Sequence, residues 1–394
     1  MQPKKMQEHN AYLILQLVRN RGPLSRADIA RALNCSRSAV SNIISWLGSV
    51  DLIQVVGTGN PPTGKKSKLL SFNPEAHYLA AVDLKWGKRT FGLVDLAGNV
   101  RARLTVADKD TGVQQCLRSI VEKTDSLLRN SGVPRESVIG MGLTVPGIVD
   151  NERGTVIYSS SLGWNEPFPL SERLSDRIQL PAYLENDANA LALGEAWTGN
   201  GSSFSDIAYV FVGRGVGGAY IHNNEILRGK DFASTEFGKI IISSAAGPVR
   251  AEEALSFSRV LTLYDENLDA ASMTNDEILD VITEIVARRS ERAEQIMARI
   301  VDKLGQLVAT IVAILNPEAI IIKSPYLAGE EDTLERVGRK ARTYLPERPE
   351  RKVNIIPSGL GDNSEVIGGA AVALSHSYLK FIIKGEYSPY AADV

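Results

Sequence analysis

The chain contains few of the residues that hold metals or form disulfides. Its 394 residues include 2 cysteines, Cys35 and Cys116, and 4 histidines. Two cysteines cannot build a disulfide framework or a thiolate cluster for zinc, so a structural zinc site would need carboxylate ligands. No stretch reaches the roughly 18 uninterrupted apolar residues of a membrane span, and the opening residues MQPKKMQEHN are polar. We therefore expect a cytoplasmic protein without metal, disulfide or membrane partner.

The charge of the chain is unevenly distributed. Residues 1–72 carry 10 Lys and Arg against 3 Asp and Glu, whereas the whole chain has a net charge of −2. The remaining residues are therefore acidic. A basic segment joined to an acidic body indicates that the basic segment meets a polyanion and that the body has another partner.

The basic segment has the spacing of three short helices. Apolar residues at helical spacing between positions 13 and 18, followed by Arg-Gly-Pro at 21–23, predict a first helix and its end. Ser25 followed three residues later by Asp28 predicts the start of a second helix, and Ser36 the start of a third. The tight spacing of the second and third helices is typical of a helix-turn-helix.

The third predicted helix has a polar outward face. Arg37 and Asn42 on this face have the geometry for bidentate contacts to guanine and adenine, and the serine hydroxyls can reach phosphates. The alternative is a small helical bundle with a solvated face. The outward residues are Arg37, Ser38, Ser41, Asn42 and Ser45.

A predicted β-hairpin follows the third helix. Residues 52–56 and 67–72 read as strands, and the loop between them is rich in Gly, Pro and Lys. A hairpin in this place predicts a winged helix-turn-helix, whose wing lysines would contact phosphates or the minor groove and make DNA affinity depend on salt. The predicted DNA-binding residues are Ser25, Arg26, Ser36, Arg37, Ser38, Ser41, Asn42, Lys65, Lys66 and Lys68.

The acidic body reads as an α/β fold. Predicted strands at 78–84, 90–95 and 100–106 precede a helix at 112–130 and a strand at 138–145, and a further strand at 207–212 opens a second half. This order is that of a two-lobed actin-like or sugar-kinase-like (ribonuclease H-like) domain. The predicted domains are a winged helix-turn-helix at 1–72, a small lobe at 73–187 and a large lobe at 188–394, with a return of the C-terminal helix to the small lobe as an alternative.

Several motifs, in this order and spacing, resemble one family. They are Gly-Leu-Thr-Val-Pro-Gly-Ile-Val-Asp at 142–150, Ser-Leu-Gly-Trp at 161–164, Glu-Asn-Asp-Ala-Asn-Ala at 185–190, Gly-Arg-Gly-Val-Gly-Gly at 213–218, Asn-Pro-Glu-Ala-Ile-Ile-Ile at 316–322 and Gly-Gly-Ala-Ala at 368–371. Together they resemble the ROK family of repressors, open reading frames and sugar kinases. The resemblance covers essentially the whole chain, because the regulators of that family also carry an N-terminal winged helix.

Asn186 and Asp187 follow a predicted strand, at the edge of a sheet where open α/β folds bind ligands. An amide and a carboxylate there can hold adjacent sugar hydroxyls, although Asp187 could instead simply cap the following helix. The resemblance favours the ligand role, and in the family's kinases the residue matching Asp187 is the general base. The residues that we expect to bind a sugar are Ser161, Asn186, Asp187, Glu236, Lys239 and Glu252, with Glu253 an alternative to Glu252.

Lys239 stands where the resemblance implies a histidine that touches both zinc and sugar. Since the matching cysteines are also absent, we expect no zinc, and we expect apolar packing of residues 240–242 to hold the segment. Lys239 either reaches a ligand, which would favour an acidic or phosphorylated sugar, or is a solvated surface lysine.

Three regions that contact nucleotide in the family's kinases have changed. An Asp-x-Gly-Gly-Thr loop is replaced by Asp83-Leu84-Lys85-Trp86-Gly87-Lys88, a third glycine by Ala219, and a glycine pair by Lys323-Ser324. Bulk in place of glycine keeps backbone N–H groups away from phosphate oxygens, so ATP binding is not expected.

These observations predict a sugar-responsive DNA-binding transcriptional regulator, a repressor of carbohydrate metabolism genes. Operator DNA would bind the winged helix of a homodimer or tetramer, and a sugar effector would bind between the lobes without being phosphorylated. One alternative is an ATP-dependent ROK sugar kinase with a DNA-binding head, and another is a regulator controlled by a protein partner. Apolar residues at helical spacing over 281–315 supply core helices or oligomer contacts.

Overall fold

The computed structural model describes residues 3–59, 67–85, 87–108, 112–287, 290–327, 331–345, 353–377 and 379. The chain divides into two compact units. The first unit comprises Met1–Glu185 and Glu365–Val394, and the second comprises Asn186–Ser364. The predicted winged segment at 1–72 therefore belongs to the first unit together with the small lobe.

The N-terminal segment, residues 3–72, contains three helices and a three-stranded sheet. Its elements are α1 (Pro3–Arg21), β1 (Leu24–Ser25), α2 (Arg26–Ala32), α3 (Arg37–Ser49), β2 (Ile53–Gly59) and β3 (Ser67–Phe72). The strands are antiparallel in the order β1-β3-β2. Ile14, Ile29 and Leu47 are buried, one from each helix, so the three apolar stripes form a common core. The predicted helix starts at Ser25 and Ser36 are confirmed.

The rest of the first unit is built on a five-stranded sheet. Its elements are β4 (Tyr78–Lys85), β5 (Gly87–Asp95), β6 (Val100–Asp108), α4 (Val113–Ser131), β7 (Val138–Val145), β8 (Ile148–Asp150), β9 (Thr155–Tyr158), α5 (Leu170–Ile178) and β10 (Ala182–Asn186). The strand order in the sheet is β10-β7-β4-β5-β6. Strand β4 pairs antiparallel with β5 and parallel with β7, as expected for the β-β-β-α-β order of the sequence.

The last helix of the described residues, α12 (Ser364–His376), packs closely on this sheet. A Cβ atom added to Gly142 of β7 would lie 1.9 Å from the carbonyl oxygen of Gly369 in α12. A Cβ atom on Gly369 would in turn lie 2.9 Å from the Cβ of Ala81 in β4. The Gly-Gly-Ala-Ala motif of α12 is therefore explained by close packing against strands β4 and β7.

The second unit is built on a five-stranded sheet in the order β13-β12-β11-β16-β17. Helix α10 supplies a buried stripe to its core, including Ile296, Ile300, Leu304 and Leu307, which is the core interpretation of the 281–315 pattern. The elements are α6 (Asp187–Thr198), β11 (Ile207–Val212), β12 (Val216–His222), β13 (Glu225–Ile226), β14 (Ile241–Ser244), β15 (Gly247–Arg250), α7 (Ala251–Leu255), α8 (Phe257–Tyr264), α9 (Asn275–Ala287), α10 (Glu291–Leu315), β16 (Ala319–Lys323), α11 (Glu331–Tyr344) and β17 (Asn354–Pro357).

Candidate functional site

Helix α3 turns a polar face outward. The hydroxyl of Ser36 accepts a hydrogen bond from the backbone N–H of Ala39 at 3.2 Å and thereby fixes the start of the helix. Arg37, Ser38 and Asn42 are exposed, and Ser41 is half-buried. Because the apolar stripe of α3 faces the core, these polar side chains lie on the side that is open to a partner.

Ser25 caps the start of helix α2, a structural role distinct from the DNA contact expected of it. It is 5% exposed; its hydroxyl donates to Asp28 Oδ2 at 2.6 Å and accepts from the Asp28 backbone N–H at 3.2 Å. The Ser25 backbone N–H donates back to the same carboxylate oxygen at 3.3 Å, which completes a capping box. The Ser25 side chain is therefore engaged in this cap, and the DNA contact expected of Ser25 stays a prediction.

Replacing Ser25 with alanine is expected to lower the free energy of unfolding by about 1–2 kcal/mol, since a helix cap and a buried hydroxyl are lost. The Ser25 hydroxyl holds the pKa of Asp28 below its ordinary value. A depressed carboxyl pKa stabilises the fold at neutral pH, and this contribution is lost as the pH falls through the folded-state value. Urea unfolding at pH 7 and in acid should show the difference shrinking in acid. Ser45→Ala, at an exposed position of α3, is the control and should stay within about 0.5 kcal/mol of wild type.

The hairpin of β2 and β3 presents one of the predicted wing lysines. Lys68 lies on β3 opposite Thr58 and is exposed. Lys65 and Lys66 lie outside the described residues. Arg26, the first residue of α2, is half-buried.

The start of helix α6 is organised by Asn186. Its side-chain oxygen accepts from the backbone N–H groups of Ala188 at 2.9 Å and Asn189 at 3.3 Å. The capping role that the sequence left open for Asp187 thus falls mainly to Asn186, although Asp187 Oδ1 also accepts from Ala188 N–H at 2.9 Å. The helix begins at Asp187, which places a carboxylate in the first turn, where the helix dipole favours negative charge.

Strand β12 brings the start of α6 near the segment that carries Glu236. A Cβ atom on Gly217 would lie 3.5 Å from the Cβ of Ala188, the residue after Asp187. A Cβ atom on the neighbouring Gly218 would lie 2.2 Å from the ring of Phe237 and 2.7 Å from the carbonyl oxygen of Thr235. Glycine at 217 and 218 leaves room for the start of α6 and for residues 235–237 to pack closely against strand β12. Because successive strand residues point to opposite faces of a sheet, these are two separate close approaches to the same strand.

Thr235, next to Glu236, has a strained backbone. Its φ of 58° lies in the left-handed region, which is unfavourable for a β-branched residue. Its hydroxyl donates to the carbonyl oxygens of Ser234 at 2.7 Å and Gly218 at 3.4 Å. Such strain is held by the surrounding structure and is concentrated at functional sites.

Lys239 and Glu252 form a two-pronged ion pair. The ammonium nitrogen lies 2.7 Å and 2.9 Å from the two carboxylate oxygens of Glu252. Glu253 instead faces Arg250, whose Nε is 4.0 Å from its carboxylate. Glu252 rather than Glu253 is therefore the residue beside Lys239, and Lys239 is paired rather than simply solvated.

The Lys239–Glu252 ion pair argues against both a zinc site and an anionic ligand at this position. An ammonium group is not a metal ligand, and across the described part of the chain no group of three His, Cys, Asp or Glu side chains is arranged to hold a metal ion. The residues present therefore do not fit the zinc site that the resemblance implies. Because the charge of Lys239 is compensated by Glu252, it gives little support to an acidic or phosphorylated ligand.

Two further expectations need correction. Ile242 is buried, but Ile241 is 61% exposed, so the apolar packing predicted for residues 240–242 is carried by Ile242 with partly buried Ile240. Ala219 lies inside β12, paired with Tyr209 and fully buried. Its methyl group therefore belongs to the strand core and does not crowd a phosphate loop.

The other two nucleotide-region substitutions have partners within their own units. Lys85 pairs with Asp83 and Glu365 in the first unit. Lys323 hydrogen-bonds Ser364 in the second unit. Trp86 lies outside the described residues. Ser161, in the first unit, is exposed, and its hydroxyl is 3.4 Å from that of Ser159.

The two five-stranded sheets with their helices define a protein of the sugar-kinase-like α/β class. Residues 79–376 match the ROK family, and the chain belongs to that family. Within the described residues, no helix is both long and apolar enough to cross a membrane.

Three comparisons place the chain among known proteins. It is 26% identical to a putative xylose repressor of Caldicellulosiruptor sp. (strain Rt8B.4), over 93% of this chain and 95% of that protein. It is 27% identical to a glucokinase of Thermotoga maritima, over 75% of this chain and 96% of that protein. A crystal structure of a ROK family transcriptional regulator, a homolog of the E. coli MLC protein, superposes with a TM-score of 0.75 at 18% identity, over 97% of this chain and 96% of that chain, and shares the fold.

Proposed function

We propose that the protein is a sugar-responsive transcriptional repressor. Its N-terminal segment is a winged helix-turn-helix that binds operator DNA as part of a homodimer or tetramer. A sugar effector binds at the start of α6 and the segment around Glu236 and is not phosphorylated. The observation that carries this proposal is the exposed polar face of α3 on a basic segment joined to a ROK body.

The extent of the similarities supports the DNA-binding part. The match to the xylose repressor covers 93% of the chain, and the match to the glucokinase covers 75%. The difference is about the length of the N-terminal segment, so this segment goes with the regulator rather than with the enzyme. Its helix order, with α3 followed by the β2–β3 hairpin, supports a recognition helix and a wing.

The chemistry of the candidate side chains supports a sugar ligand. Asp187, Glu236 and Glu252 offer carboxylate oxygens that accept hydrogen bonds from hydroxyl groups, and Asn186 offers an amide. With Lys239 compensated by Glu252, the remaining groups suit a ligand rich in hydroxyl donors. Lys85 and Lys323 stand in regions that contact nucleotide in the family's kinases, and each is engaged by side chains of its own unit. This supports binding without phosphoryl transfer.

The test uses the full-length protein and a pool of random duplexes. We expect selection to enrich a palindromic sequence, and we expect D-xylose or D-glucose to weaken binding to that duplex. A sugar at 100 times its dissociation constant should stabilise the protein by about 2.7 kcal/mol in thermal unfolding. No sugar-dependent release of ADP from ATP is expected.

Each alternative has its own signature in the same experiment. ADP release with sugar at ordinary enzyme rates, on the order of 1 to 1,000 per second, would favour the kinase with a DNA-binding head. DNA binding together with unchanged thermal stability in every sugar would favour control by a protein partner. Failure to enrich any duplex would contradict the proposed repressor.

A further inference from the structure

Three charged side chains meet where strand β4 ends and helix α12 begins. The ammonium nitrogen of Lys85 lies 3.0 Å from Glu365 Oε1 and 3.4 Å from Asp83 Oδ2. The hydroxyl of Thr144, in the neighbouring strand β7, donates to Asp83 Oδ1 at 2.5 Å. Lys85 therefore joins two carboxylates that are 282 positions apart in the chain.

Because the carboxylates are largely buried, loss of the ion pair is expected to destabilise the fold. The side chain of Asp83 is 4% exposed, that of Glu365 24% and that of Lys85 34%. A buried carboxylate needs a compensating charge or several hydrogen bonds, because water is not available to solvate it. Removing the lysine would leave two neighbouring carboxylates, one of them buried, with less compensation and with mutual repulsion.

The ion pair between Lys85 and Glu365 also holds helix α12 in position. The helix backbone lies so close to β4 and β7 that Gly142 and Gly369 have no room for a Cβ atom. Glu365 is in the first turn of α12, and Lys85 is the last residue of β4. An ion pair between them fixes the start of the helix on the sheet, at the point where the chain re-enters the first unit.

We propose that the ammonium group of Lys85 takes the place that a metal ion would otherwise occupy beside Asp83 and Glu365. Lys85 is a positioning residue that holds α12 on strand β4, and its charge occupies the two carboxylates so that they do not recruit a divalent metal ion. The proposal concerns the first unit alone, and it stands whether or not the effector is a sugar. It also gives a reason for the lysine at the end of β4, because phosphoryl transfer requires a bound metal ion to neutralise the phosphates.

The test compares Lys85→Met with Lys88→Met in thermal unfolding, with EDTA and with millimolar MgCl2 or CaCl2. Lys88 is the cross-strand neighbour of Lys85 in the β4–β5 hairpin and is exposed, so its replacement controls for the loss of one charge. We expect Lys85→Met to lower the melting temperature by about 5 °C in EDTA and Lys88→Met to change it by less than about 2 °C. The divalent cations should restore much of the loss in Lys85→Met and leave wild type and Lys88→Met unchanged.

Two further variants keep the proposal testable if Lys85→Met does not fold. Lys85→Arg keeps the charge and should behave as wild type. The double variant Lys85→Met/Glu365→Gln removes the repulsion and should fold with a higher melting temperature than Lys85→Met, or fold where the single variant does not. Equal stability of Lys85→Met and Lys88→Met, no effect of either cation, or no gain from the Glu365 substitution would each overturn the proposal.

Discussion

Replacing Arg37 with alanine is expected to weaken binding to the selected duplex by about 10- to 100-fold, which corresponds to about 1–3 kcal/mol. Arg37 is the first residue of α3 and is exposed, and its guanidinium can bond a guanine edge at two points. The loss should be confined to one base position, so variants of the duplex at that position should bind the mutant about equally. Fluorescence anisotropy with single-base duplex variants measures both effects.

Two control variants separate base reading from charge. Lys68→Ala removes an exposed cation from β3 and should weaken all duplexes alike, with a flatter dependence on salt, as expected for a phosphate contact. Arg129→Ala removes an exposed arginine of α4, outside the N-terminal segment, and should leave DNA binding unchanged. If Arg37→Ala lost affinity uniformly, as Lys68→Ala does, the assignment of base reading to Arg37 would be wrong.

Replacing Asp187 with asparagine should weaken the binding of the effector sugar by about 10- to 100-fold while leaving operator affinity in the absence of sugar unchanged. A hydrogen bond to a charged group contributes about 1.5–3 kcal/mol, and asparagine keeps an oxygen for the N–H of Ala188. The start of α6 should therefore survive the substitution. Titration calorimetry with D-xylose or D-glucose, together with sugar-induced release of DNA, measures the change.

Glu253→Gln is the matched control for this experiment. Glu253 lies beside Glu252 in the first turn of α7 but faces Arg250, so its loss should not affect the sugar. Equal losses in Asp187→Asn and Glu253→Gln would point to a general charge effect and contradict the site. Transfer of the γ-phosphoryl group of ATP to the sugar, with release of ADP, that disappears in Asp187→Asn even at saturating sugar would instead assign Asp187 the role of a general base.

The order and boundaries of the helices and strands were largely predictable because they depend on neighbouring residues. Ser25 and Ser36 mark helix starts, since a side-chain oxygen satisfies backbone N–H groups only two or three residues away. The buried stripe of α10 follows from helical periodicity in the same way. The resemblance to the ROK family also rested on local motifs, and the family match over residues 79–376 agrees with it.

The roles of individual site residues were less predictable from local sequence. At Asn186 and Asp187 the sequence allows both a helix cap and a ligand contact, and in the structure both side chains accept a hydrogen bond from the N–H of Ala188. The local sequence does not show that the Ser25 side chain is buried, which depends on packing around the capping box. The local sequence does not show whether position 219 lies in a loop or a strand, and the pairing of Ala219 with Tyr209 places it inside strand β12.

The sequence by itself determined the α/β class, the separation of a basic segment from an acidic body, and the set of polar residues from which a site can be built. These properties are encoded in composition and in short-range spacing. The tertiary structure decided which charges meet: Lys239 with Glu252, and Lys85 with Asp83 and Glu365. Ion pairs and buried positions depend on distances between residues far apart in the chain, and those distances are set only when the strands and helices pack.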